Sequence, residues 1–486
     1  MTAKGRWWAL AAVSLATLMT YLDNNVINVA IPTIQRDLHL SVTGLEWIVS
    51  SYLLVLAGLL LVGGRLADVY GRRRVFLTGL AIFTLSSLTA GLSGSGAVLI
   101  GARAVQGLGA ALLMPATLAI IGHAFTDVRE RTAAIGIWSA IGALGLALGP
   151  VVGGLISQHI HWGWIFLINV PIGVVTFAIA IPSVAESRAD LESRRLDVPG
   201  LITSAVALTS LTYALIEGHD RGWTSGLILG AFGLAAAATA VFLAIESRVR
   251  QPMVQTAVFR ARELSGGTAV MMIWAFGVLG IYFFTSLYLQ GILGFSPTKA
   301  GLAFVPMALF VVLASTVAAR VTSLIGGHRT VAAGVLLMVV GLLLFARLGA
   351  GASFAALIPG FAVFGIGIGL MNVPLTTAVL DGLPAEHAGI ASALLNNSRE
   401  VAGLLGITVI GAVLRAQQGI SLRAGASAPQ AFLDGYHAGL WVTIGLLAAG
   451  VVVSYVSLRP RQRPEPGVLA VPGEEIEAEG VTANAP

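Results

Sequence analysis

The chain has no cysteine and little charge: of 486 residues, only 10% are Asp, Glu, Lys or Arg. Without cysteine there is no disulfide, no thiolate metal site and no cysteine nucleophile. An ordinary soluble domain carries about 25% charged residues because its surface faces water. This chain is instead 56% hydrophobic with a mean hydropathy of +0.88, which suits lipid and buried packing. Lysine is nearly absent, with only Lys4 and Lys299 among the 28 basic residues, a bias of genome composition that says nothing of function. The formal net charge of +5 leaves no nucleic-acid footprint, because the basic residues are scattered through short connectors. The 8 histidines fall mainly in loops or at the ends of apolar runs, and none has metal-ligand spacing. No nucleophile–base constellation is evident, so the composition argues against an enzyme and calls for no cofactor.

In their place stands a succession of apolar stretches. Runs of about 18 to 25 residues between polar or Gly/Pro breaks can cross a bilayer as helices. Fourteen can be counted, the first centred near Leu18 and the last near Leu447, with the densest Gly/Pro interruption around residues 350–382. The first run, Trp7 to Ala30, follows Lys4 and Arg6 as a signal peptide would. It also holds Asp23, Asn24, Asn25 and Asn28 without a small-residue cleavage site, and so reads as a retained helix. Alternating the spans puts 20 of the 28 basic residues on the side of the N-terminus and 6, Arg415 among them, in loops on the other. Arg103 and Arg399 lie within spans. The positive-inside rule then predicts that both termini are cytoplasmic. Charged connectors at 183–198 and 246–265 set two spans apart from six on either side. They predict an N-terminal six-helix bundle over 1–182, a linker with two extra helices over 183–265 and a C-terminal six-helix bundle over 266–458. Residues 459–486, with Pro460, Pro464, Pro466, Pro472 and Glu474-Glu475-Ile476-Glu477, read as a disordered tail. A short echo, Gly64-Arg65-Leu66-Ala67-Asp68 after the second span and Ala319-Arg320 with Gly326-Gly327-His328-Arg329 after the tenth, suits two related halves.

An ionised side chain at mid-membrane depth costs about 2.5–3.5 kcal/mol on insertion scales, so each should face a cavity or a partner. Asp23 sits about 10 Å from the end of the first helix, at a rise of ~1.5 Å per residue. A carboxyl held between burial and a neighbouring cation can take a proton from one side and release it to the other. The alternative is a polar cluster that hydrogen-bonds its own neighbours. Arg103, at similar depth in the fourth span, would find its acceptor in Asp23 if the two helices adjoin, and Gln106 shares its face. An Arg bonded to carbonyls is the plainer alternative. Glu400 lies near the middle of the thirteenth span, within Asn396-Asn397-Ser398-Arg399-Glu400. Adjacent helical residues diverge by about 100°, which argues against an Arg399–Glu400 pair. Glu400 is then a second proton site, a recognition point for cations, or an acid satisfied by Asn396 or a neighbouring helix. Tyr282 and Tyr288 in the aromatic ninth span, with Asn28, Gln106, Asn372, Asn396 and Asn397, are candidate cavity residues. Aromatics there would suit lipophilic cations, although lipid or core packing accounts for each of them too. In the fifth span, Gly145, Gly149, Pro150, Gly153 and Gly154 make the pattern G-x-x-x-G-P-x-x-G-G. Small residues let backbones approach and proline sets a bend, so this is a hinge and packing face.

Together and in order, these motifs resemble the major facilitator superfamily, and within it the 14-spanner drug:proton antiporters. Residues 145–154 resemble that family's antiporter motif at every fixed position. Gly64 to Arg74 (GRLADVYGRRR) resembles its loop 2–3 signature, with Val69 where a basic residue is usual. Leu99 to Ala111 (LIGARAVQGLGAA) resembles the helix-4 motif and Leu22 to Pro32 (LDNNVINVAIP) the helix-1 motif. Trp162 to Pro171 (WGWIFLINVP) is similar to the signature entering helix 6, with Gly163 where Arg is usual, and Gly294-Phe295-Ser296-Pro297 with Ala300-Gly301 also fits. The resemblance implies an all-α membrane protein of a bacterial inner membrane, with 14 helices as two six-helix bundles plus two linking helices. It implies export of lipophilic compounds, cations among them, in exchange for protons by alternating access. The partners it implies are small substrates, protons and lipid, with no nucleic acid, for a monomer driven by the proton gradient alone. It assigns proton coupling to Asp23 and Arg103, with Glu400 as a further candidate. It gives Asp68 and Arg72 charge contacts that form in one access state and break in the other, and gives the glycine-proline face a part in restricting leakage. A dedicated exporter of one metabolite, lipid or self-made antibiotic is the alternative.

Overall fold

The computed structural model describes residues 3–188, 197–249, 262–381 and 388–459. The expected disordered tail from 460 onward and parts of both charged connectors lie outside these residues. The helices, in chain order, are α1 (Ala3–Leu38), α2 (Val42–Tyr70), α3 (Arg72–Gly91), α4 (Gly96–Ala124), α5 (Val128–His159), α6 (Trp164–Ser183) and α7 (Val198–Arg221). They continue as α8 (Gly226–Glu246), α9 (Arg262–Ile292), α10 (Pro297–Ile325), α11 (Gly327–Phe345), α12 (Phe354–Asp381), α13 (Ala388–Arg423) and α14 (Ala428–Ser457). No strand occurs among the described residues. Thirteen of these helices are long and apolar enough to cross a membrane. The other, α1, has 36 residues, and its Asp23–Asn28 polar cluster dilutes an otherwise apolar sequence. The Gly/Pro-dense stretch neither adds nor removes a span, since α12 runs through Pro359 and Pro374 as one helix.

The starts of the helices are written in short polar side chains. Ser41, Ser95, Asp127, Asp197, Ser225, Ser296 and Ser427 each stand just before a helix and accept a hydrogen bond from a backbone N–H in its first turn. Each satisfies a donor that the helix itself leaves unpaired, a gain of about 1 kcal/mol. Two tight turns rely on glycine: Gly71 joins α2 to α3 at φ 116°, and Gly326 joins α10 to α11 at φ 88°. They occupy the corresponding places of the two halves where the sequence shows its echo.

Helix packing repeats from one half to the other. In the first bundle α1 packs on α5 and α6, α4 on α2 and α3, and α3 on α6; in the second, α9 packs on α13 and α14, α12 on α10 and α11, and α11 on α14. Backbones approach through small residues, the only way lipid-phase helices can gain close packing. At Gly107 of α4, for example, a Cβ would collide with the Tyr52 carbonyl of α2. α7 and α8 pair with each other, and α7 touches both bundles, through α2 and α13. α8 is the least buried of the candidate spans, with 17% of its most apolar segment buried against 61% for α2 and α4, while α7, at 22%, is level with α5 and α10.

Bonds between the bundles cluster toward the face away from the termini, here the far face. Gln290 Nε2 of α9 donates to the Val29 carbonyl of α1 at 2.8 Å. The Thr298 N–H of α10 donates to Gln158 Oε1 of α5 at 3.0 Å. Arg415 of α13 is ion-paired with Glu46 of α2. Arg415 was expected in an exposed loop; it lies instead within α13 and only 5% of its side chain is exposed. α13 runs on to Arg423, past the end of its apolar stretch, because the partner on α2 makes a cation tolerable at that depth.

Candidate functional site

Asp23 lies on α1 with 1% of its surface exposed, and it does not open onto solvent. Four side chains from three other helices converge around it. Arg103 of α4 pairs with Asp23 Oδ2 at 2.5 Å. Gln106 Nε2 donates to Asp23 Oδ1 at 2.8 Å, and Asn169 Nδ2 of α6 donates to the same oxygen at 2.9 Å. Ser87 Oγ of α3 accepts from Gln106 at 2.7 Å and from Asn169 at 3.4 Å. Arg103 also donates to Gln106 Oε1 at 2.6 Å and, through Nε, to the Ile48 carbonyl of α2 at 3.4 Å. Its guanidinium sits 4.3 Å from the centre of the Tyr52 ring and 5.6 Å from that of Phe166, where π faces add to cation stabilisation. Arg103, Gln106, Asn169 and Ser87 are wholly buried.

Such a pair survives in a low dielectric only because its hydrogen bonds are nearly complete. The exceptions are Arg103 Nη2 and Asn169 Oδ1, both buried without a partner. The network therefore holds a spare donor and a spare acceptor beside an ion pair. Protonating Asp23 would remove the charge that holds Arg103 and leave the guanidinium to the Gln106 and Ile48 oxygens. Sequence reasoning placed Asp23, Arg103 and Gln106; it did not place Asn169 or Ser87. Asn169 was available as the only polar side chain in Trp164 to Pro171, whereas Ser87 is one hydroxyl among many.

The second charged site lies at the bundle interface. Arg399 Nη2 and Glu400 Oε1 of α13 are 2.6 Å apart, and Arg399 Nε donates to the same oxygen at 3.0 Å. This corrects the expectation that adjacent residues do not pair. Their Cβ atoms diverge, but the long Arg side chain folds back and brings its fork to the carboxylate. The Arg399 guanidinium also lies 5.9 Å from the Tyr21 ring centre on α1, two residues before Asp23. Glu400 is 4% exposed, Asn396 and Asn397 are half-buried, and Asn397 Oδ1 is buried without a partner.

The glycine-proline face of α5 divides into two surfaces. Gly145, Gly149 and Gly153, four residues apart, receive α1: a Cβ on them would meet the Leu18 carbonyl, Asn25 and the Val26 carbonyl respectively. Pro150 and Gly154 face α10 of the other bundle, where a Cβ on Gly154 would strike the Pro297 carbonyl and one on Gly301 the Pro150 carbonyl. The motif is thus the seam between halves as well as a seam within one. On the near face Arg72 Nη2 meets Asp68 Oδ1 at 3.3 Å within the loop 2–3 segment, and Arg72 Nη1 donates to the Ala119 carbonyl at 3.4 Å. That segment is also tied to the stretch after α6, where Glu186 accepts the Arg73 N–H at 3.1 Å and lies 3.6 Å from Arg74.

The remaining candidates are dispersed. Asn28 donates to the Asn24 carbonyl of its own helix at 3.3 Å. Asn372 is half-buried on α12. Tyr282 packs against Phe304 with the rings tilted by 41° and their centres 4.5 Å apart, inside the second bundle. There it lines a cavity of about 20 Å³ with Thr285 and Tyr436, room for a single water. Tyr288 is wholly buried, stacked on Tyr436 at 5.0 Å, and its hydroxyl donates to the Gly349 carbonyl at 2.8 Å.

The family model of the Major Facilitator Superfamily matches residues 13–407. The chain belongs to that superfamily. It is 36% identical over 409 residues to the multidrug resistance protein Stp of Mycobacterium tuberculosis (strain CDC 1551 / Oshkosh), covering 84% of this chain and 75% of Stp. It is 34% identical over 417 residues to the tetracenomycin C resistance and export protein of Streptomyces glaucescens, covering 86% of this chain and 77% of that protein. Its fold matches the crystal structure of an auto-inhibited POT family peptide transporter with a TM-score of 0.70 at 14% identity, over 95% of this chain and 98% of the other. As a major facilitator, the protein is an all-α membrane transporter with two six-helix bundles and two linking helices.

Proposed function

We propose that this transporter expels lipophilic compounds, cations among them, from a bacterial cytoplasm in exchange for protons. In this reading both termini are cytoplasmic and the far face is the outer one, so the arrangement described is closed to the outside. The buried Asp23–Arg103 pair, with Gln106, Asn169 and Ser87 around it, carries the reading. An ion pair wrapped in amides at this depth is a poor structural bargain, since apolar residues of similar volume stabilise a core as well or better. It does supply a charge that one proton cancels. Because Arg103 also reaches α2 through the Ile48 carbonyl, protonation of Asp23 changes what holds α1, α4 and α2 together. Antiport requires that this change favour one access state, since a ligand that binds both equally shifts nothing. Glu400, held by Arg399 where α13 faces α1, is the second group through which a proton or a cationic substrate would act.

The test is substrate-driven proton release from everted vesicles energised to an acidic interior. Adding a lipophilic cation such as ethidium should raise the internal pH with wild type and leave it unchanged with Asp23→Asn. Full coupled activity in Asp23→Asn would remove Asp23 from the mechanism. The second reading, export of one self-made compound, is favoured by the similarity to a tetracenomycin C resistance and export protein. It predicts proton release with a single neutral or anionic metabolite and none with any lipophilic cation.

A further inference from the structure

α2 and α13 meet across the bundle interface at the far face, and the meeting point is built from both sides. Glu46 of α2 is wholly buried and ion-paired with Arg415 of α13. One turn before Arg415, Gly411 leaves the space that the carboxylate fills; a Cβ there would overlap Glu46 Oε1. A third helix completes the site. Arg415 Nη2 donates to the carbonyls of Ile216 at 3.2 Å and Leu215 at 3.4 Å, both on α7. α7 is in turn fastened to α2, because Trp47 Nε1 donates to Glu217 Oε1 at 3.0 Å and Thr43 Oγ1 to Asp220 Oδ2 at 2.7 Å.

Each bundle supplies one charge of this pair, so moving the bundles apart at the far face must separate them. Separation without water would leave two buried charges uncompensated, which is far costlier than keeping or hydrating the pair. The pair therefore weighs on one side of the access equilibrium only, the side with the far face closed. We infer that Glu46, Arg415 and Gly411 form the far-face gate, and that the linking helix α7 is its third jaw. This rests on the alternating-access reading above and assigns the linking helices a part in it. Gln290, Thr298 and the α5–α10 seam close the same face by packing and neutral hydrogen bonds, so this pair is its charged fastening.

Ser50 offers the readout. It is wholly buried one turn below Glu46 on the same face of α2, and in a chain with no cysteine a Ser50→Cys thiol is the only one to label. A membrane-impermeant maleimide should label it slowly in the wild-type background. Glu46→Gln should raise the labelling rate about tenfold or more. Trp47→Phe with Thr43→Val, which loosens α7 from α2, should raise it by less. The pair Glu46→Gln with Arg415→Met removes both charges, leaves neither unpaired, and should raise it by less than Glu46→Gln does. Unchanged labelling in Glu46→Gln and in the double variant overturns the gate. Substrate-driven proton release in those same proteins then shows whether the export reading survives without it.

Discussion

The Asp23 network sets a hierarchy among its members that can be measured. Arg103 is the cation that Asp23 contacts, and two neutral amides, Gln106 and Asn169, both held by Ser87, finish the solvation. Arg103→Met leaves that carboxylate buried without its counter-charge, which costs about 3–5 kcal/mol. Asn169→Leu removes one neutral donor and keeps the ion pair, at a cost of about 1–3 kcal/mol. Thermal unfolding in detergent should therefore show a much larger fall in Tm for Arg103→Met than for Asn169→Leu. Equal falls would mean that the pair is not the centre of the site. Asp23, Arg103 and Gln106 were legible in the sequence because charge inside an apolar run demands a partner, and few partners exist. Ser87 was illegible because a serine in a membrane helix usually bonds back to its own helix, as Ser87 Oγ also does to the Phe83 carbonyl at 2.7 Å. Arg399 and Glu400 were visible as charges, but their pairing was not. Cβ directions govern short side chains, and four rotatable bonds free Arg399 from them.

Between helices, the same residue type carries different weight according to what faces it. Gly153 of α5 sits against the Val26 carbonyl of α1, whereas Gly101 of α4 has nothing within 4 Å of where a Cβ would stand. Gly153→Ala must push α1 and α5 apart or bend one of them, an overpacking cost of about 1–3 kcal/mol. Gly101→Ala gains helix propensity at a lipid-facing position, at most about 1 kcal/mol. Detergent melts should rank Gly153→Ala well below wild type and Gly101→Ala level with it or slightly above. If both variants melt with wild type, the close approach of α1 and α5 is not what the motif provides. The spans themselves were legible, because length and apolarity are properties of a helix taken alone. So was the glycine-proline motif as a packing face. Its division into one surface for α1 and another for α10 was not, because a stripe of small residues shows that a backbone comes close without naming which one.

For the molecule as a whole, a sequence that works by alternating access has to satisfy two arrangements, and its pattern names neither. The structure presents the arrangement in which the far face is joined, with α5 against α10, α2 against α13, and Gln290 bridging to α1. The paired halves make the cost of leaving it local. Each bundle keeps its own packing, and only the seam is exchanged. Holding the seam closed should therefore stop transport without unfolding either half. Gln158 and Thr298 face each other across α5 and α10, joined by the 3.0 Å bond from the Thr298 N–H, and the absence of native cysteine leaves Gln158→Cys with Thr298→Cys as the only thiols. A short bifunctional thiosulfonate should link them, abolish substrate-driven proton release in vesicles and leave the melting temperature unchanged or higher. Reduction should restore transport, and each single variant should transport before and after treatment. Continued transport by the linked protein would show that this seam stays shut through the cycle, and the moving contact would then have to lie elsewhere between the bundles.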